Sequence, residues 1–494
     1  MLATTRSSTV LGVEGHRVRV EVHVAQGLPS FTLVGLPDAS CRESRDRVRA
    51  AVQSSEFEWP QRRVTVNLAP TNLRKVGSGL DLAIAVAYLV ATRQLGAGST
   101  ERFGYLGELG LDGSLRAVPG VLPALDALVQ VTPVVALDDL AEARLVREDA
   151  VGVASLRQLV AVLRGDEPWP DPPGPSPAVV RPTEKDLADV QGQVVARAAL
   201  EVSAAGGHHL LMTGPPGAGK TMLAERLVGI LPDLDDRSAI EVSRVHSVAS
   251  QLRAEHGLPT RPPFRSPHHT SSLVAMVGGG SGLLRPGEIS LASGGVLFLD
   301  ELGEFPVTHL EALRQPLEQG VIHLSRAQHH VTLPASFLLV AATNPCPCGA
   351  GRWGECTCSP AQVARYRRRL SGPLLDRFDL RLEVDPPDPA TVFAGGVGGE
   401  TTAEVRDRVA AARARAADRG VSANRQLGGD ALDVHAPLTA SGRELLREAL
   451  GAGRLTMRGV QRVRAVALTL LDLAGEEGEL GPDHLSQAVV LRGA

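Results

Sequence analysis

Apolar and polar residues alternate strictly along RVRVEVHVA (17–25), and again along RVTVNL (63–68). A period of two puts every second side chain on one face, so each segment is predicted to be a half-buried β-strand. Between them, residues 40–56 read as a helix, and residues 80–92 as a strongly apolar helix. The first third of the chain is therefore expected to be an α+β domain. A different pattern follows the proline-rich run EPWPDPPGPSPAVVRP (167–182), which cannot pack a core and reads as a semi-rigid linker. Beyond it, continuous apolar runs at 208–213, 295–299 and 336–342 alternate with helical segments. Runs apolar on both faces fit the buried strands of a parallel sheet, which carries ligands at its strand ends. From about residue 400 the pattern is helical, over 402–419, 440–449, 457–474 and 482–491. The expected organisation is thus an α+β domain over 1–165, a linker over 166–185, an α/β core over 186–395 and a helical domain over 396–494. No internal repeat of 20–50 residues is visible.

Composition narrows the function classes. The chain has 494 residues, too many for one compact domain. Hydrophobic residues make up 43% and charged residues 21%, which excludes wholesale disorder. The formal net charge of −4 excludes a polycation, so any nucleic-acid contact must come from local patches. The longest apolar stretch, near 80–91, contains Asp81 and is too short to span a bilayer. The first fifteen residues hold no apolar signal core, so a cytoplasmic protein without a membrane partner is expected. Only three lysines occur, Lys75, Lys185 and Lys220, which makes a lysine at position 220 improbable by chance.

That lysine closes the run Gly214, Pro215, Pro216, Gly217, Ala218, Gly219, Lys220, Thr221, a full G-x-x-x-x-G-K-[ST] motif between an apolar strand and a helix. Its glycines let backbone N–H groups turn toward phosphate oxygens beside a helix N-terminus. Lys220 is expected to hold the β- and γ-phosphates of ATP, and the Thr221 hydroxyl to ligate Mg²⁺. The apolar strand ending at Leu299 carries Asp300 and Glu301 at its tip. Asp300 is assigned to Mg²⁺ and Glu301 to the attacking water. A third apolar strand ends at Asn344, which could bridge that water and the γ-phosphate, or simply form the turn before Pro345.

Four cysteines crowd one loop as C-x-C-x₇-C-x-C: Cys346, Cys348, Cys356 and Cys358. Four thiolates can close a tetrahedral, structural Zn²⁺ site, and four reduced thiols are the alternative. Cys41 stands apart and reads as packed in the core. His268 and His269 lie between the nucleotide motifs and receive no catalytic role.

These residues resemble the ComM/YifB family of magnesium-chelatase-like AAA+ ATPases. The likeness runs through GLPSFTLVGLPDAS (27–40), VNLAPTNLRKVGSGLDLAIA (66–85), RPPFRSPHHTSS (261–272), VGGGSGLLRPGEISLASGGVLFLDE (277–301) and AATNPCPCG (341–349). The resemblance implies that Asn344 is the sensor-1 residue and Arg377 an arginine finger serving a neighbouring subunit. It further implies Arg458 as the sensor-2 arginine, with Arg462 beside it. It implies a homo-hexameric ring whose pore hairpin, residues 320–334 with Arg326, His329 and His330 near the tip, contacts single-stranded or branched DNA. A helicase or branch-migration motor of recombination or transformation is the activity so implied. A chelatase-type ATPase driving metal insertion or protein remodelling without DNA is the alternative.

The amino-terminal domain resembles the Lon peptidase domain. Gly79 and Pro123 stand where that family's serine and lysine are expected, so no proteolysis is expected. Ser78 and Lys75 are the nearest substitutes for such a dyad.

Overall fold

The computed structural model describes residues 1–171, 185–280, 284–326, 329–352, 354–370, 372–386 and 399–493. The alternating segments of the first third form a mixed seven-stranded sheet. Strands β1 (Leu2–Leu11) and β2 (Glu14–Ala25) make a long antiparallel hairpin, and β3 (Ser30–Val34) enters the opposite side of the sheet. Helix α1 (Ala39–Ser54), strand β4 (Arg63–Ala69) and helix α2 (Asp81–Ala91) follow. Strand β5 (Phe103–Tyr105), helix α3 (Val121–Asp126), strand β6 (Thr132–Ala136), helix α4 (Leu140–Arg144), strand β7 (Val151–Val153) and helix α5 (Leu156–Arg164) complete the unit. The strand order is β3-β4-β2-β1-β5-β6-β7. Helix α2 is buried on nearly every side, which is why its sequence is apolar all round rather than striped.

Strand β1 escapes the sequence pattern for a physical reason. Its inward positions include Thr5, Ser7 and Thr9, all buried. Their hydroxyls donate to the carbonyls of Ala83 (2.9 Å), Tyr105 (2.6 Å) and Val76 (3.3 Å). Satisfied hydroxyls enter a core at little cost but read as polar in a hydropathy pattern. The proline-rich run also begins differently from expectation. Trp169 packs against Phe103 with ring centroids 5.2 Å apart, so the chain leaves the domain later than residue 166. Residues 172–184 lie outside the described residues.

The second unit is a five-stranded parallel sheet covered by helices. Helix α6 (Val194–Gly206) leads into strand β8 (Leu210–Thr213) and helix α7 (Lys220–Ile230), then helix α8 (Asp236–Val248). Strands β9 (Phe264–Arg265) and β10 (Val296–Leu299) come next. Helix α9 (Arg314–Gln319) precedes a two-stranded hairpin, β11 (Val321–Arg326) and β12 (His329–Pro334). Strand β13 (Leu338–Thr343), helix α10 (Pro360–Arg369) and strand β14 (Leu380–Glu383) close the unit. The sheet order is β9-β10-β13-β8-β14. All pairings are parallel, with Thr213 opposite Thr343 and Leu299 opposite Ala341, so the strands end along one edge. The hairpin occupies the expected stretch, but the side chains of Arg326 and His329 lie outside the described residues; His330 is exposed.

Helices α11 (Thr402–Asp418), α12 (Ala440–Gly451), α13 (Met457–Ala474) and α14 (Pro482–Leu491) form the carboxyl-terminal part, with α13 buried among the others. One apolar cluster runs from the parallel sheet into these helices. The amino-terminal unit meets the sheet unit along α8. Arg244 pairs with Asp126 at 2.8 Å, and the Ser247 hydroxyl donates to Glu142 at 2.5 Å. The β1–β2 turn at Gly12 lies against Val331 and Leu333 of the hairpin. No described helix is long and apolar enough to cross a membrane.

Candidate nucleotide site

The parallel strands end where the chemistry-bearing residues sit. Strand β8 delivers the 214–219 loop, in which Gly217 (φ 79°) and Gly219 (φ 89°) adopt left-handed backbone that side chains disfavour. Helix α7 then starts at Lys220 with no side-chain cap, leaving its first N–H groups for an incoming anion. A cavity of about 390 Å³ opens there, lined by residues 216–222 together with Asp300, Glu301, Thr343 and Asn344. That volume falls within the range of small-molecule sites.

The Lys220 ammonium is nearly buried and donates to the carbonyls of Gly214 and Pro215, both at 2.8 Å, and to Asn344 Oδ1 at 3.3 Å. Burial draws its pKa below the ordinary lysine value against the opposing pull of Asp300 and Glu301. An anion in the cavity would favour the charged form further. The Thr221 hydroxyl donates to Asp300 Oδ2 at 2.7 Å, and the Glu301 N–H to Asp300 Oδ1 at 2.9 Å. A hydroxyl and a carboxylate side by side form the oxygen donor set that a hard cation takes, so these residues fit Mg²⁺.

Glu301 itself has φ 51°, a conformation uncommon outside glycine and asparagine. Its carboxylate stands 3.4 Å from His269 Nδ1. His269 stacks on His268 with centroids 4.1 Å apart, and His309 Nε2 meets the Ser271 carbonyl at 2.9 Å, which fixes this loop. The sequence reading gave the histidine pair no place in the site. The signal lay in the sheet register. Phe264 pairs with Val296 and Arg265 with Leu297, so the loop that follows β9 leaves the sheet on the side where β10 ends.

The two arginines sit elsewhere. Neither Arg377 nor Arg458 lines the cavity of its own chain. Arg377 is buried, bonded to Glu318 and to the Pro373 carbonyl, and Arg458 reaches the same Glu318 at 3.7 Å. Arg462 turns inward to Asp379 at 3.2 Å, joined by Arg425 at 2.7 Å. Burial pushes the Asp379 carboxyl up, but His208, Arg425 and Arg462 outweigh it and hold the pKa far below the usual range. Arg462 is thus part of a buried ion cluster behind β14.

The four loop cysteines converge. Their sulfurs all lie within 4.8 Å of one another, with Cys346–Cys348 at 3.4 Å and both Cys346–Cys356 and Cys348–Cys356 at 3.7 Å. Four sulfurs about 2.3 Å from one zinc would be roughly 3.8 Å apart in a tetrahedron. The N–H groups of Ala350 and Thr357, with the thiols of Cys346 and Cys358, draw Cys348 down to about 5, while the neighbouring sulfurs push Cys356 and Cys358 up. Cys41 is fully buried, and burial beside Asp38 and Asp81 pushes its thiol up to about 12.

Family comparison matches residues 186–392 to magnesium chelatase subunit ChlI, residues 20–132 to a second ChlI description, and residues 399–492 to the ChlI carboxyl-terminal region. YifB of Escherichia coli is 42% identical over 493 residues, covering 99% of this chain and 97% of that one. The competence protein ComM of Haemophilus influenzae is 42% identical over 502 residues, again covering 99% and 97%. The chain belongs to the ComM/YifB family of magnesium-chelatase-like AAA+ proteins. A more distant likeness, 28% over 177 residues, joins 36% of this chain to 22% of the probable DNA helicase MCM9 of Arabidopsis thaliana. As an AAA+ family, this group implies ATP and Mg²⁺ as its cofactors.

The amino-terminal unit of this family member lacks a formed dyad at the candidate positions. Ser78 donates to Glu108, and the buried Lys75 ammonium is bonded to the carbonyls of Pro70 and Leu73. Pro123 is buried in α3, and Gly79 packs near Leu106 and Val118.

Proposed function

We propose that this protein is a Mg²⁺-dependent ATPase that works on DNA as a homo-hexameric ring, a helicase or branch-migration motor rather than a protease. The observation that carries the ATPase reading is the convergence of Lys220, Thr221, Asp300, Glu301 and Asn344 on one cavity at the strand tips. Lys220 binds the β- and γ-phosphates, and Thr221 and Asp300 hold Mg²⁺, which when bound neutralises phosphate charge. Glu301 orients the attacking water and accepts its proton, and Asn344 hydrogen-bonds that water or the γ-phosphate. Arg377, away from its own cavity, serves the site of the next subunit, and Arg458, which shares Glu318 with it, is the sensor-2 arginine. The likenesses to a competence protein and a probable DNA helicase support DNA as the partner. The cysteine loop, with its sulfur spacing, holds a closed structural Zn²⁺.

The test is ATP hydrolysis by the purified full chain, alone and with single-stranded or branched DNA. DNA should stimulate turnover, and Lys220→Ala should weaken ATP binding by roughly 10–150-fold, the worth of a charged hydrogen bond. Turnover indifferent to every DNA form would move the reading to protein remodelling or chelatase-type work.

His269 enters the same scheme as a positioning residue. His269→Ala should lower kcat by about tenfold, with ATP affinity unchanged, because the imidazole 3.4 Å from the Glu301 carboxylate no longer positions it. An unaltered kcat would leave the histidine as packing only.

A further inference from the structure

The segment from Cys346 to Cys358 has little to hold it in shape by burial. Of its described residues only Cys346 and Gly349 are buried. Yet it touches the nucleotide site at several points. Gly349 (φ 82°) lies flat on the phosphate loop, where a methyl group at that position would sit 2.7 Å from Pro216 Cδ. Cys346 stands two residues after Asn344, whose amide oxygen meets Lys220. Arg352, in mid-loop, pairs with Glu383 at 2.8 Å and Asp385 at 3.1 Å. The Asp385 carbonyl in turn accepts from Gln193, which also approaches the Ala218 carbonyl at 3.4 Å. At the far end, Cys358 runs directly into Ser359, which caps α10 through a full capping box. Tyr366 of that helix returns to Thr343 at 3.2 Å.

A loop so exposed, and so placed, owes its shape to whatever joins its sulfurs. We infer that the metal at these four cysteines braces the phosphate loop and Asn344, so that its occupancy sets how tightly ATP is held. The inference rests on reading residues 214–221 and 344 as the ATP site. Four thiolate ligands leave no open position, so the ion acts by fixing the loop. With the ion in place, Gly349 backs Pro216 and limits how far the phosphate loop can open. Without it, both the loop and the strand end that carries Asn344 lose that backing.

Linkage makes the coupling reciprocal. If zinc tightens ATP, ATP must tighten zinc by the same factor. This supplies a readout that does not pass through turnover.

The experiment uses the full chain. Metal content is measured by elemental analysis for the wild type and for the Cys348→Ser/Cys356→Ser variant. Binding of a fluorescent ATP analogue is measured for both, and for wild type stripped with a zinc chelator and then reloaded with Zn²⁺. Lys220→Ala is the binding control, and circular dichroism reports folding. One zinc per chain is expected, absent from the double variant. Loss of the metal should weaken ATP binding by at least about fivefold, the lower end of site-to-site couplings. Reloading should restore it, which keeps the test valid even if the variant folds poorly. Saturating ATP should slow chelator extraction of zinc from the wild type and not from Lys220→Ala. A chain free of metal, or one whose ATP affinity ignores the metal, overturns the inference. Zinc-loaded wild type that does not bind ATP at all overturns the ATP reading first, and the brace with it.

Discussion

Replacing Arg377 by alanine should lower ATP turnover by about 10³–10⁵-fold, the worth of an arginine supplied to the charge that develops on the transferring phosphate. ATP affinity of the isolated chain should hardly change, because Arg377 does not line its own cavity. The side chain is 8% exposed and tied to Glu318, so it must be released before it can serve a neighbour. The decisive measurement is a mixture. Arg377→Ala chains keep an intact cavity and lack the arginine, while Lys220→Ala chains bind ATP poorly and keep the arginine. Each is inactive alone, and turnover should reappear when they are combined. A mixture as inactive as its components would mean that the arginine acts within its own chain, or not at all.

Glu301→Gln should reduce turnover by about 10²–10⁴-fold, since the amide preserves shape but accepts no proton. The change is nearly isosteric and ATP binding should persist, because Lys220, Thr221 and Asp300 remain. Single-turnover hydrolysis with the ATP-bound protein separates this from a binding defect. Turnover at the wild-type rate would remove Glu301 from the water-positioning role and return attention to Asn344.

The grouping of these residues around one cavity was readable from the chain because its parts are local. The 214–221 loop is contiguous, and Asp300, Glu301 and Asn344 each end an uninterrupted apolar run. What escaped was set by pairing between distant segments. His269 comes within 3.4 Å of Glu301 from the loop after β9, and no spacing along the chain announces that approach. Strand β1 escaped because its inward hydroxyls are satisfied by carbonyls contributed from residues 76, 83 and 105. The sharing of Glu318 by Arg377 and Arg458 was equally out of reach, because the three positions come from separate helices and turns. Cysteine spacing pointed to a common metal, but the approach of Gly349 to Pro216 needed the fold.

The β1–β2 turn gives the molecule a mechanical boundary. Gly12, at φ 65°, fits against the hairpin so closely that a methyl group there would lie 2.3 Å from Val331 Cγ1. Rigid travel of the hairpin toward the amino-terminal sheet is therefore opposed at once by close packing. Any relative movement of the two parts has to open this seam rather than compress it.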